Sequence, residues 1–158
     1  MRRELLLGAV AGAVGILALD AVGYLDMAVR GRPASELPGR LVDRLAELAG
    51  VEVPREDEDW RNRASAIGAL LGYGVGLVTG AVFGAVRAGG LRLRAPVAAV
   101  AVGAAAMAMS DVPLVLSGLT DPRTWGLAGW ASDIVPHLAF GVATVATFEA
   151  LNDLGRSR

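Results

Sequence analysis

Cysteine, lysine and glutamine are absent from this 158-residue chain, and aromatic residues are few: three Phe, two Tyr and three Trp. Without cysteine there is neither a disulfide framework nor a thiolate metal site, and the redox compartment leaves no mark on the sequence. Without lysine, all fifteen basic residues are arginine, set against sixteen acidic ones for a formal net charge of -1. That balance lacks the clustered positive excess that binding to a phosphate backbone requires, so nucleic acid is excluded as a partner. No nucleophile motif, metal-ligand spacing or phosphate-binding loop is present either. No cofactor is expected, and the sequence leaves metal binding open. Missing Lys and Gln beside abundant Ala, Gly and Val fits the codon bias of a GC-rich bacterial genome.

Hydrophobic residues make up 54% of the chain, and its charges crowd into a few segments. Four stretches, 5–29, 64–86, 95–119 and 132–151, are long and apolar enough to be spanning helices, which need about 20 such residues to cross roughly 30 Å of hydrocarbon. Charge bounds each of them: Arg2 and Arg3, Arg30 and Arg32, Arg61 and Arg63, the group Arg87, Arg92 and Arg94, and finally Asp153, Arg156 and Arg158. The opening MRRELLLGAVAGA has the look of a signal segment, yet its apolar run continues to Asp20 and beyond, so it is read as a retained span. The expected fold is all-α, a single polytopic membrane four-helix bundle.

The first connection is the only large one. Ser35 is a candidate helix cap, and Leu41, Leu45, Leu48 and Ala49 share a stripe, with Arg40, Asp43, Arg44 and Glu47 elsewhere. This predicts an amphipathic surface helix over about 36–50. The run Glu56 to Asp59 reads as a solvated loop and Trp60 as an interfacial anchor. Trp125 and Trp130 lie in the third connection, so every Trp falls on one side of an even-span topology. Arginines are split almost evenly between the two sides. Those close to span ends favour both termini in the cytoplasm of a bacterial plasma (inner) membrane.

Gly68, Gly72, Gly76, Gly80 and Gly84 stand at strict four-residue spacing in the second span. Helices in lipid associate by close backbone approach along small-residue grooves, so this pattern predicts a glycine zipper. Its partner is either the first span, through Gly8, Gly12 and Gly15, or another protein in the membrane, a second copy of the chain included. The halves also match weakly. Gly12 and Asp20 share their spacing with Gly103 and Asp111, and Ser65, Ile67, Leu71, Tyr73, Gly74 and Val75 parallel Ser132, Ile134, Leu138, Phe140, Gly141 and Val142, with five identities and one aromatic exchange. Two tandem helical hairpins related by an axis along the membrane normal would account for this.

Five ionisable residues fall within or at the edge of the spans: Asp20, Asp26, Asp111, Asp133 and His137. A charge at bilayer depth costs about 2.5 to 3.5 kcal/mol or more, so such groups face the bundle interior and find partners. Asp26 has Arg30 four residues on. Asp133 follows Ser132 where a helix is expected to start, and a helix start favours negative charge. Asp20 and Asp111 sit deeper, roughly 15 Å of helix from their nearer span ends. If the halves are duplicated, these two face each other with His137 close by. Carboxylates brought together in low dielectric share a proton, bind a cation or take an arginine, here Arg30, Arg32 or Arg123 from the loops.

The stretches SDVP (Ser110 to Pro113), TDPRTW (Thr120 to Trp125) and WASDIVPHLAFG (Trp130 to Gly141) resemble segments of small four-span membrane proteins from GC-rich bacteria. The Gly/Ala-rich first span and the histidine in an aromatic-bearing last span are more distantly similar to inner-membrane proteins of the YagU type. That resemblance implies a four-helix inner-membrane protein connected with acid tolerance. Taken together, these readings predict a channel- or transporter-like protein that handles protons or a small cation at Asp20, Asp111 and His137. The alternatives are a non-catalytic membrane scaffold or accessory subunit packing through the zipper, and a small membrane-embedded enzyme using Asp and His. Membrane lipids are the surrounding partner in every case.

Overall fold

A computed structural model describes residues 1–154; Arg156 and Arg158, read as the last flanking charges, lie outside the described residues. The elements are α1 (Arg2–Arg30), α2 (Leu37–Leu48), α3 (Glu58–Ala88), α4 (Ala95–Leu116), a 3-10 turn (Pro122–Thr124) and α5 (Gly126–Leu154). Helices α1, α3, α4 and α5 are each long and apolar enough to cross a membrane. The side chains are sorted as lipid demands. The interior is built from Ala11, Ala98, Ala99, Val102, Ala106 and Val145 with Phe83, Phe140 and Phe148, whereas Leu6, Leu17, Leu70 and Val142 point outward, with Leu6 68% exposed. Small residues inside and branched aliphatics outside reverse the order of a water-soluble bundle. The protein is a multi-pass helical membrane protein.

The four long helices form a ring in which α1 packs on α3 and α5, α5 also packs on α4, and the α3–α4 seam is the loosest. Arg3 donates to Asn152 Oδ1 at 3.1 Å, and Arg87 pairs with Glu149, so the termini and the second connection share one end. Arg87 also lies over the rings of Phe83 and Phe148, 5.9 and 5.8 Å from their centroids, and these rings meet edge to face at 5.1 Å. Its charge therefore closes the bundle end instead of merely flanking a span. At the opposite end Arg30 reaches the Ser132 hydroxyl, joining the end of α1 to α5.

The five spaced glycines divide among three environments. A methyl group on Gly80 would lie 2.7 Å from the Gly12 Cα, one on Gly84 3.2 Å from the Gly8 Cα, and one on Gly76 2.8 Å from Ile16 Cδ1. These three form the α1 contact. Gly68 instead faces the backbone of Pro38 in α2, at 2.6 Å from its carbonyl carbon, and Gly72 meets nothing within 4 Å. A single stripe with one partner is thus replaced by a contact, a gap and a second contact, because α1 and α3 diverge above Gly76. The Gly76 to Gly84 face is already filled by α1 of the same chain. In the second hairpin a methyl group on Gly141 would lie 2.8 Å from the Gly103 backbone nitrogen, while one on its counterpart in the proposed duplication, Gly74, would meet nothing within 4 Å. Both hairpins cross on glycine, but in different registers.

Three expected boundaries are corrected. The acidic run is not simply a solvated loop: Asp57 caps α3 by accepting from the Asp59 N–H at 2.9 Å, and Glu58 and Asp59 form the first turn, where the helix dipole favours negative charge. Helix α4 stops at Leu116, before Gly118 takes φ 70°, with Ser117 Oγ donating to the Pro113 carbonyl at 2.5 Å. Helix α5 begins at Gly126, so Asp133 lies well inside it and gains nothing from a helix start. The amphipathic α2 exists, but Val42 is its buried residue, while Leu45 and Leu48 are exposed. Its Pro38 and Gly39 rest on α3, and the Trp60 indole donates to Asp43 Oδ1 at 2.8 Å. Glu36 takes the cap position, with Ser35 Oγ accepting from the Leu37 N–H at 3.3 Å.

Candidate functional site

Where α1 and α3 part, a partly open cavity of about 680 Å³ lies between all four spans at the end bearing the first and third connections. Ile16, Gly76 and Phe140 form its floor, Leu37 and Pro38 of α2 its roof, and Trp125 stands at the side. Asp20, Asp111, Asp133 and His137 all line it, with Tyr73 and Arg32. Most of the remaining wall is carbon.

The acidic groups form two stations. On the α1–α3 wall the Tyr73 hydroxyl donates to Asp20 Oδ2 at 3.3 Å. On the α4–α5 wall Asp111 faces Asp133, with His137 beside both. The carboxylate next to Asp111 is therefore Asp133, and Asp20 keeps a separate partner. His137 Nδ1 lies 2.8 Å from the Asp133 backbone carbonyl and 3.1 Å from Asp133 Oδ1. A carbonyl only accepts, so Nδ1 carries the hydrogen and Nε2 is the nitrogen left to gain or lose a proton. Asp133 Oδ2 is buried with no hydrogen-bond partner among the described residues.

Prolines shape this wall. Pro113 and Pro136 sit inside α4 and α5 at the level of the cavity. Lacking an N–H, each leaves the carbonyl four residues earlier, at Met109 and Ser132, without its helical donor. Backbone of this kind is tolerated at membrane depth where it borders a cavity or is buried in protein.

Asp26 stands apart from the cavity lining as a clamp. Its carboxylate takes Arg30 at 2.7 Å and Arg32 at 2.6 Å, and accepts from Ser132 Oγ at 3.2 Å, tying the end of α1 to α5. Two of the three arginines proposed as partners of the deep aspartates, Arg30 and Arg32, are engaged there. Arg123 is exposed in the 3-10 turn, where its backbone N–H donates to Asp121 Oδ1 at 3.0 Å. Among the described residues no group of three or more His, Cys, Asp or Glu is arranged to hold a metal ion. Tyr73, which the repeat comparison sets opposite Phe140, was not among the expected site residues; its signal was a phenol set in the Gly72 to Gly76 segment of an apolar run.

These features define a four-span helical membrane protein with an acidic cavity open at one end. Neither a family model, nor a curated protein, nor a solved structure matches the chain.

Proposed function

We propose that the protein handles protons at the Asp111, Asp133 and His137 cluster, as a small channel- or transporter-like protein of the bacterial plasma membrane with both termini in the cytoplasm. The observation that carries this reading is that Asp111, Asp133 and His137 line one cavity whose arginine is committed elsewhere. Two adjacent carboxylates in low dielectric repel, and one proton between them removes that repulsion while supplying the donor that Asp133 Oδ2 lacks. His137, with Nε2 available for exchange, is the neighbouring relay. Asp20 with Tyr73 forms a second station across the cavity. Glycine-zipper packing of α1 on α3 holds the helices at the closed end. The resemblance to YagU-type proteins belongs to the same proposal and connects the cluster with acid stress.

Infrared spectroscopy of the reconstituted protein tests the shared proton. One protonated-carboxyl band is expected to vanish in both Asp111→Asn and Asp133→Asn, because it belongs to the pair. In proteoliposomes each variant should also lose flux driven by a pH gradient. Two independent carboxyl bands, or undiminished flux in both folded variants, would refute the proposal. A scaffold role through the second span is disfavoured because α1 already fills the Gly76 to Gly84 face.

A further inference from the structure

A proton needs only the carboxylate pair, yet the pair lies on the wall of a chamber of about 680 Å³, within the range of roughly 300–1,000 Å³ typical of sites for small organic molecules. Three observations describe what such a chamber accepts. Its ionisable lining is Asp20, Asp111, Asp133, His137 and Arg32, and the Arg32 guanidinium is spent on Asp26 at 2.6 Å. The chamber is therefore acidic, with no arginine left to hold an anion. Its walls are mainly carbon and include the aromatic residues Tyr24, Tyr73, Trp125 and Phe140. Aromatic faces attract organic cations, most strongly where water is excluded. Among the described residues no side-chain cluster is arranged as a metal cage.

We infer that the cavity binds an organic cation with an apolar body, whose charged centre sits against Asp111 and Asp133 while its carbon framework lies on Phe140, Trp125 and the Gly72 face of α3. The inference rests on the proposed function in sharing its carboxylate pair, and it names the substrate class of that site. Size, sign of charge and wall chemistry select together. An inorganic cation would leave the carbon walls uncovered, a neutral molecule would not answer the carboxylates, and an anion would be repelled. If the pair holds a proton when empty, an arriving cation displaces it, and cation and proton compete for one site. The charged and titratable groups facing that exchange are His137 from α5, Asp20 and Tyr24 from α1, Tyr73 from α3 and the Asp26-bound Arg32 from the first connection.

Gly72 supplies a variant that blocks the body without touching the charge. It lines the cavity, stands on the same α3 stripe as Gly68 and Gly76, and a Cβ added there meets nothing within 4 Å. The probe is tetraphenylphosphonium, titrated calorimetrically into the purified full chain in detergent, with triphenylphosphine oxide as the neutral control and tetraphenylborate as the anionic one. Saturable binding of tetraphenylphosphonium alone is expected. Affinity should fall at least tenfold in Asp111→Asn, in Asp133→Asn and in Gly72→Phe, the last retaining the shared carboxyl band and the parent's helical circular dichroism. Absence of saturable binding overturns the inference, as does equal binding of triphenylphosphine oxide or unchanged affinity in folded Gly72→Phe. Proton release on binding, read in weakly buffered solution, separates the two proposals. Binding with release supports both, whereas binding without release upholds the cation site and overturns the shared proton.

Discussion

The two ends of this bundle are made from the same helices and behave oppositely. Near the termini α1 and α3 touch backbone to backbone at Gly8, Gly12, Gly80 and Gly84, and Phe83 and Phe148 fill what remains under Arg87. Near the connections those helices separate around a cavity, and the ionisable groups gather there. The difference teaches that glycine spacing permits close approach without enforcing it. Gly72 keeps the four-residue period of its neighbours, yet it faces open space because Pro38 of α2, seated on Gly68, and the Ile16 and Phe140 side chains at Gly76 hold the helices apart.

Substitutions at the two ends should separate accordingly. The largest expected effect is at the closed end. Phe148→Ala, removing a ring that is 1% exposed, should cost about 3–5 kcal/mol in a reversible unfolding assay in mixed micelles. Tyr24→Ala on the cavity wall, where the ring is 66% exposed, should stay within about 0.5 kcal/mol. Comparable losses at both positions would mean that the cavity end is as tightly packed as the other.

A sharper version uses one substitution at two glycines of one helix. Gly80→Ala drives a methyl into the α1 backbone and should lower stability by about 1–3 kcal/mol. Gly72→Ala enters open space and improves helix propensity, so it should raise stability by up to about 1 kcal/mol. Opposite signs from substitutions eight residues apart would locate the point where the helices part; the same sign at both would erase the distinction.

Topology gives a test with no energetic scale. Because the chain has no cysteine, single cysteines can be introduced and labelled with an impermeant maleimide. Positions Glu47 and Arg123 should react from one side of the membrane and Arg92 from the other. Labelling of 47 and 123 from opposite sides would contradict the pairing of the first and third connections at one end.

The smallest effect is expected at Tyr73→Phe. It removes the 3.3 Å hydrogen bond to Asp20 and should leave the unfolding midpoint unchanged while shifting the Asp20 carboxylate stretch in the infrared spectrum. A band that does not move would show that Tyr73 and Asp20 are independent and that the second station does not exist.

The four spans, their flanking charges and the amphipathic α2 were legible in the residue order alone, because span length and helical periodicity are local properties that each segment carries with it. The same order showed that Asp20, Asp111, Asp133 and His137 must find partners, since the cost of charge at depth depends on residue type and position along a span. Which partners they find depends on how the helices pack together. Asp111 is set beside Asp133 because α4 and α5 cross at Gly103 and Gly141, and Asp20 is set beside Tyr73 because α1 crosses α3 lower down, at Gly12 and Gly80. Those registers come from which backbones can approach once every helix is packed at the same time, and no single span contains that information.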